Sequence, residues 1–384
     1  MSVGAVPART WHALLQEKKM TTRHEKLLDA MRAADLDSLA LVPGANLYYL
    51  LGLTIHSSER LAIAFLGQDG SVRIVLPALE RPRAEAEARL PATFYPWSDA
   101  EGYAGALRQC IAGGSLGSRL GVEYTNMRVL ELRAIEAVAN VQVEDATSLL
   151  GELRMAKDDD ELRAMRAAVR VVEDALAQAV AAVRPGVTER EIAALLDRAM
   201  QAAGSEPSFT TIVASGPNSA NPHHTASDRR MERGDLVIVD AGARLDGYCS
   251  DITRTFAVGE LGDEGRAIYD LVLRANRAGV AAVRPGCSGA QIDAAARQVI
   301  EAGAYGPQFL HRTGHGLGIE IHEPPYLHSA EPAPLREGTT FTVEPGIYVS
   351  GVGGVRIEDD VVITAEGGEC LTTFPRELQV LPTS

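Results

Sequence analysis

The sequence predicts two domains, an α/β domain first and an α+β domain of two related halves after it. Three observations carry this. Up to about residue 150, short apolar runs alternate with helical patterns, the rhythm of an α/β layer. The hexapeptide AAVRPG occurs twice, at 181–186 and 281–286. Each copy is followed by a further helical pattern and then by a strand hairpin interrupted by acidic residues. The first hairpin spans 236–256, LVIVDAGARLDGYCSDITRTF.

In the first domain, Leu27, Leu28 and Met31 recur at helical spacing and predict a helix over 22–34. Residues 38–42 form a short apolar strand, stopped by Pro43-Gly44. The stretch NLYYLLGL (46–53) reads as a turn leading to a strand over 60–66. A further strand follows at 72–76, a helix at 82–88 and a strand edge at 121–123. The alternation closes near Ala146, so the domain is assigned to 21–150 and the second domain to 151–384. No Gly-rich phosphate loop lies between a strand and a helix, so nucleotide binding is not supported. Residues 1–20 read as an N-terminal extension. Met20 precedes the first helical pattern, leaving an upstream segment or an accessory helix.

Composition narrows the function. The chain has 384 residues, enough for two domains and a large core. Its 37 basic and 51 acidic residues give a net charge of −14, which argues against nucleic acid or an acidic membrane as partner. No run of about twenty apolar residues spans a membrane. A secretory signal pattern is absent. The four cysteines are scattered, without a CxxC pair, so a disulfide framework or zinc knuckle is not expected and a reducing cytoplasm is.

The second domain opens with one long helix over 157–183, striped by Leu162, Met165, Val169, Val172, Leu176 and Val180. The acidic run 158–161 lies at its N-terminus, where the helix dipole favours it, and needs no other function. Each Pro-Gly ends a helix, and Thr188 and Ser288 can cap the next. The order helix, turn, helix, acidic hairpin occurs twice. Duplication would set the two hairpins face to face about a pseudo-twofold axis.

Asp240 and Asp251 interrupt the first hairpin, and Glu344 and Glu358 interrupt the second, within 339–349 and 354–364. Buried carboxylates are costly unless positive charge meets them. Four converging would repel by several kcal/mol without cations. His315 sits in TGHGLG, where flanking glycines allow close backbone approach. The five donors are oxygen-rich with one nitrogen. They suit hard or borderline divalent ions such as manganese, with cobalt, zinc or iron as alternatives.

The ordered series resembles the pita-bread metallopeptidases: aminopeptidase P, prolidase and methionine aminopeptidase. The matching blocks are NPHHTASDRRMERGDLVIVDAGARLDGYCSDITRTF, HRTGHGLGIEIHEPP, TVEPGIY and GVRIEDDVVIT. They lie within the second domain. The first domain matches loosely, as a creatinase-like α/β layer. That added domain, with PHH, SDITRTF, HEPP and GVRIED, points to the Xaa-Pro branch.

The resemblance implies cleavage between an N-terminal residue and proline, in a dipeptide or short peptide, by a homodimer. Asp240 would bind one ion and Asp251 would bridge the pair. His315 and Glu344 would hold the other ion, and Glu358 would bridge from the second hairpin. Two ions about 4 Å apart can hold a bridging hydroxide at neutral pH. Glu344 is the expected proton acceptor. His223, rather than His224, matches the histidine near the scissile bond, and His322 the one that stabilises the oxyanion. His311 resembles a residue lining the proline pocket, beside Arg312 in a plain loop. Arg356 shares a strand face with Glu358 and is expected to fix that carboxylate. Glu323 and Asp359 are read as supporting or solvated acids.

One departure concerns the substrate's far end. Tyr326 stands where several dipeptide-restricted prolidases carry an arginine that receives a terminal carboxylate. Arg60, in the first-domain loop IHSSER, is a candidate replacement acting on a partner subunit's site. Two other readings use the same scaffold: a creatinase-like C–N hydrolase without metal, and a non-catalytic binding protein. Both predict broken ligand positions, and all five are present.

Overall fold

The computed structural model describes residues 22–383, and the expected extension over 1–20 lies outside them. The chain divides into two compact units, Met1–Arg154 and Met155–Ser384.

The first unit holds a six-stranded mixed sheet. Its spatial order is Thr93–Trp97, Val72–Pro77, Ile63–Gly67, Ser38–Leu41, Arg119–Val122, Gln142–Asp145. The middle strands Ser38–Leu41, Ile63–Gly67 and Val72–Pro77 are buried throughout, as continuous apolar runs require. Arg119–Val122 runs inside the sheet, parallel to both of its neighbours. The NLYYLLGL stretch is a helix, Ala45–Leu51, where a turn was expected. Gly52 ends it in the left-handed region at φ 76°, donating its N–H to the Tyr48 carbonyl. An apolar run this short carries no clear period, and the helix buries every residue but Tyr48.

The second unit repeats one plan twice. Helices Asp159–Val180 and Glu189–Ala202 form the first pair, Asp263–Ala281 and Gly289–Ala302 the second. The acidic run starts the first helix as a cap: the Asp158 carboxylate accepts from the Asp160 and Glu161 N–H groups. Both AAVRPG turns place their glycine in the left-handed region, Gly186 at φ 88° and Gly286 at φ 80°. Each glycine N–H is tied to a distant carbonyl, Gly186 to Met231 and Gly286 to Leu335. Thr188 and Ser288 then cap the second helix of each pair, with Glu191 and Gln291 completing the capping boxes.

Each helix pair covers one hairpin. Leu236–Ala241 pairs antiparallel with Ile252–Val258, and their apolar side chains meet Val172, Leu176, Ile192 and Leu196 of the first pair. Asp246 and Gly247, both at positive φ, turn the chain between Leu245 and Tyr248. In the second half Thr340–Val343 pairs with Asp359–Thr364, and Gly346–Val349 with Gly353–Arg356. Breaks at 344–345 and 357–358 therefore fall at the two glutamates.

Candidate active site

The duplication sets the four carboxylates at corresponding places. Asp251 and Glu358 each immediately precede the second arm of their hairpin. Asp240 lies near the end of one first arm, and Glu344 just past the end of the other. The hairpins meet there. The Glu358 N–H donates to the Thr253 carbonyl at 3.1 Å, and the Thr253 hydroxyl donates to Glu358 Oε2 at 2.5 Å. His315 enters from the short strand Gly314–Gly316, whose bare glycines leave no room for a side chain against Thr342 and Pro324.

These groups line one cavity of about 200 Å³, with Phe209, Ile212, Pro222 and Ile321 on its apolar walls. Its depth is graded. Asp240, Asp251, His315, Arg356 and Glu358 are buried at the floor, Glu344, His311 and Arg312 are half-buried, and His223 and His322 are exposed at the mouth. Donor atoms of Asp251, His315 and Glu358 all lie within 4.8 Å of one another. His315 Nε2 is 3.4 Å from Glu344 Oε1 and 3.7 Å from Asp251 Oδ2.

Electrostatics and hydrogen bonding make the cluster a set of donors suited to cations. Burial, reinforced by neighbouring carboxylates, pushes the Asp251 and Glu358 carboxyls well above the usual range. Glu344 moves upward chiefly by burial, despite the opposing pull of Arg356. Burial lowers His315 to about 3, so its imidazole is a neutral donor. Its Nδ1 is bonded to the Gly316 carbonyl at 3.1 Å, which turns Nε2 toward the acids. Asp240 Oδ1 and Asp251 Oδ1 are buried without a protein partner. Such orphaned acceptors among neutral imidazole and repelling acids fit divalent cations.

Arg356 departs from expectation. Its guanidinium reaches Asp240 Oδ2 at 2.6 Å, Thr253 Oγ1 at 3.1 Å and the Tyr348 hydroxyl at 2.7 Å. The Glu358 carboxylate is bonded by Thr253 instead. Arg356 and Glu358 both line the cavity, but the direct bond of the guanidinium goes to Asp240. The same Tyr348 hydroxyl meets His311 Nε2 at 2.9 Å, linking the histidine wall to Asp240 through Arg356. Burial, helped by Arg356, lowers His311 to about 4.

Glu323 and Asp359 are not solvated. Glu323 forms a fully buried ion pair with Lys157 at 2.6 Å, and Asp359 is held by Arg254 and Arg376. Of the two adjacent histidines, His223 lines the cavity, while His224 bonds Glu189 at 2.8 Å. Arg312, expected in a plain loop, also lines the cavity. Arg60 belongs to the first unit, where Asp99 holds its guanidinium at 2.8 and 2.9 Å. Thr253 and Tyr348 were missed by sequence reasoning. Thr253 lies two residues beyond Asp251, a spacing that could have flagged it.

The model of metallopeptidase family M24 matches residues 163–365, and that of the creatinase/prolidase N-terminal domain matches 23–156. The Xaa-Pro dipeptidase of Pyrococcus furiosus is 36% identical over 362 residues, covering 94% of this chain and all of that protein. The crystal structure of a dipeptidase from Pyrococcus horikoshii superposes with a TM-score of 0.88 at 40% identity, over 94% of this chain and all of that one. An X-Pro aminopeptidase from Thermotoga maritima superposes at 0.81 with 32% identity, over 92% and 100% of the two chains.

Proposed function

The chain belongs to metallopeptidase family M24, and from that premise we propose that it is a dinuclear Xaa-Pro peptidase of the prolidase type. The observation that carries the reading is the meeting of Asp251, His315 and Glu358 within 4.8 Å, with Asp251 Oδ1 left unpartnered, beneath a mouth of histidines.

In this reading Asp240, Asp251, His315, Glu344 and Glu358, which line one cavity, would hold the two ions. When bound, the divalent ions supply the Lewis acidity that activates water and polarises the scissile carbonyl. The remaining work falls to side chains. Glu344, steadied by the Thr342 hydroxyl at 3.1 Å, accepts the proton of the attacking water and returns it to the leaving proline nitrogen. His322, whose ring centre is 4.2 Å from that of His315, donates to the developing oxyanion. His223 binds the substrate on the other side of the scissile bond. His311, fixed between Tyr348 and the Arg312 carbonyl, forms the wall against the proline ring. Arg356 fixes Asp240, and Arg60 acts on the site of a partner subunit.

The oxygen-rich donor set favours manganese over cobalt or zinc. We further propose a homodimer working in the cytoplasm; no helix among the described residues is long and apolar enough to cross a membrane. The test is hydrolysis by chelated enzyme resupplied with manganese, cobalt or zinc, on Xaa-Pro dipeptides beside Xaa-Pro tripeptides. Dipeptide cleavage that returns only with metal is expected. Activity in the fully chelated enzyme would overturn the reading, and a preference for tripeptides would move it to the aminopeptidase P branch.

A further inference from the structure

The segment that carries His311 is gripped by an ion pair that does not itself line the cavity. Residues 309–313 lie between a 3-10 turn, Gly306–Gln308, and the short strand Gly314–Gly316, outside any helix or strand. Leu310 is 63% exposed, so little packs against the segment from outside. On the inner side stands Asp293, buried in the apolar stripe of the helix Gly289–Ala302 with Ile292, Ala296 and Ile300. Arg297, one turn on, meets it with a bidentate fork, Nη2 to Oδ1 at 2.9 Å and Nε to Oδ2 at 3.0 Å.

The pair holds that segment from end to end. Arg297 Nη2 donates to the His311 carbonyl at 3.0 Å, and Nη1 to the Phe309 carbonyl at 3.4 Å. Its guanidinium carbon lies 4.1 Å from the Phe309 ring centroid, and that ring meets the His311 ring edge-on at 5.3 Å. Asp293 Oδ1 accepts the Thr313 hydroxyl at 2.6 Å, and the Thr313 carbonyl accepts the Glu344 N–H at 2.8 Å. Bonds to Tyr348 and to the Arg312 carbonyl orient the His311 ring, while the Arg297 fork fixes where its backbone stands. The other half supplies a contrast. With the AAVRPG turns aligned, positions 293 and 297 correspond to Ala193 and Asp197. Asp197 also accepts a threonine hydroxyl, that of Thr211 at 2.6 Å, next to the cavity residue Ile212. An aspartate-to-threonine tie occurs in both halves, and the arginine is added where the segment carries a histidine.

We propose that Arg297, locked by Asp293, is a positioning residue that sets how closely the His311 wall approaches the substrate's proline ring, and so the preference for a ring there. This rests on the reading of the cavity as an Xaa-Pro peptidase site with His311 against proline. Arg297 acts through His311. A side chain fixed at both its backbone and its ring presents a rigid face, and displacing such a face by about 1 Å is worth up to about 100-fold in rate.

The experiment measures kcat and KM of manganese-loaded enzyme on Ala-Pro and on Ala-N-methylalanine, which keeps the tertiary amide and lacks the ring. Wild type, Arg297→Met and Arg297→Lys are compared, each with His311 intact and with His311→Ala. With His311 intact, Arg297→Met should lower kcat/KM for Ala-Pro by about 10- to 100-fold and narrow the preference for Ala-Pro over the open analogue. In the His311→Ala background the same substitution should cost no more than about 2-fold, the mark of two residues acting as one. Arg297→Lys keeps the cation over Phe309 without the planar fork. It should show the same pattern with a smaller loss, and it carries the test if Arg297→Met does not fold. Denaturation midpoints report folding, and titration calorimetry reports a manganese affinity that should match wild type. Equal losses in both His311 backgrounds, an unchanged ring preference, or a fall in manganese affinity that accounts for the lost rate overturns the proposal and leaves the peptidase reading intact. Wild type that does not cleave Ala-Pro overturns both.

Discussion

Arg356 Nη2 meets Asp240 Oδ2 at 2.6 Å, with both side chains buried on the floor of the cavity. The pair assigns one oxygen of Asp240 to the protein and leaves the other, Oδ1, unpartnered. A carboxylate held this way is oriented before any ion arrives. Removing one member of a buried pair leaves the other charge uncompensated, at a cost of about 3–5 kcal/mol. Arg356→Met should therefore destabilise the protein by about that amount in urea denaturation. In titration calorimetry it should weaken divalent-ion binding.

Asp251 carries the opposite prediction for the metal-free protein. Its burial among Glu358, Asp240, Asp360 and Glu344 raises its pKa, so charging it opposes folding at neutral pH. Asp251→Asn should stabilise chelated protein at pH 7, by about 1–2 kcal/mol. The same variant should gain no stability from added manganese, whereas wild type should gain it by linkage. Denaturation with and without chelator reads both signs.

Glu189 predicts an acid-sensitive loop. Burial pushes its carboxyl upward, but hydrogen bonds from Ser227, Ser215, Asn218 and His224 outweigh it and bring the pKa down to about 2. A depressed folded-state value means stability present above the unfolded value, near 4.5, and lost as pH falls toward 2. The contribution is about 3 kcal/mol. Glu189→Gln should flatten the stability–pH curve in that window. Because these bonds pin residues 215–227, the segment carrying His223, kcat/KM should also drop several-fold.

Lys157 and Glu323 make a buried ion pair, each about 1% exposed at the side chain. Glu323 adjoins His322. Lys157→Met should cost about 3–5 kcal/mol. It should also lower kcat through displacement of His322, measured against an unchanged manganese affinity.

How much of this was legible depended on contrast within the sequence. Asp240, Asp251, Glu344 and Glu358 stand out because each breaks an otherwise apolar strand, and the paired AAVRPG turns fix their correspondence. The turns were readable because Gly186 and Gly286 need positive φ, and Thr188 and Ser288 announce the caps. Long-range partners were not readable. Nothing local places Lys157 against Glu323, 166 residues away, or Arg254 against Asp359, 105 away. The direct partner of Arg356 is of the same kind: its guanidinium bonds Asp240, 116 residues away, rather than Glu358 two residues on. Residues 46–53 read as a turn because Pro43-Gly44 precedes them and so short a run shows no period; the helix Ala45–Leu51 is set by its burial.

The contacts that close the cavity floor join residues far apart in the chain: Thr253 to Glu358, Asp251 to Asp360 and Arg356 to Asp240, at separations of 105, 109 and 116. The capped helix pairs, by contrast, are joined by short turns and can form locally. Contacts of such long range are the slowest to assemble. Ion-binding competence is then acquired late in folding, when both halves have docked, and it reports a finished native state rather than a partly ordered one.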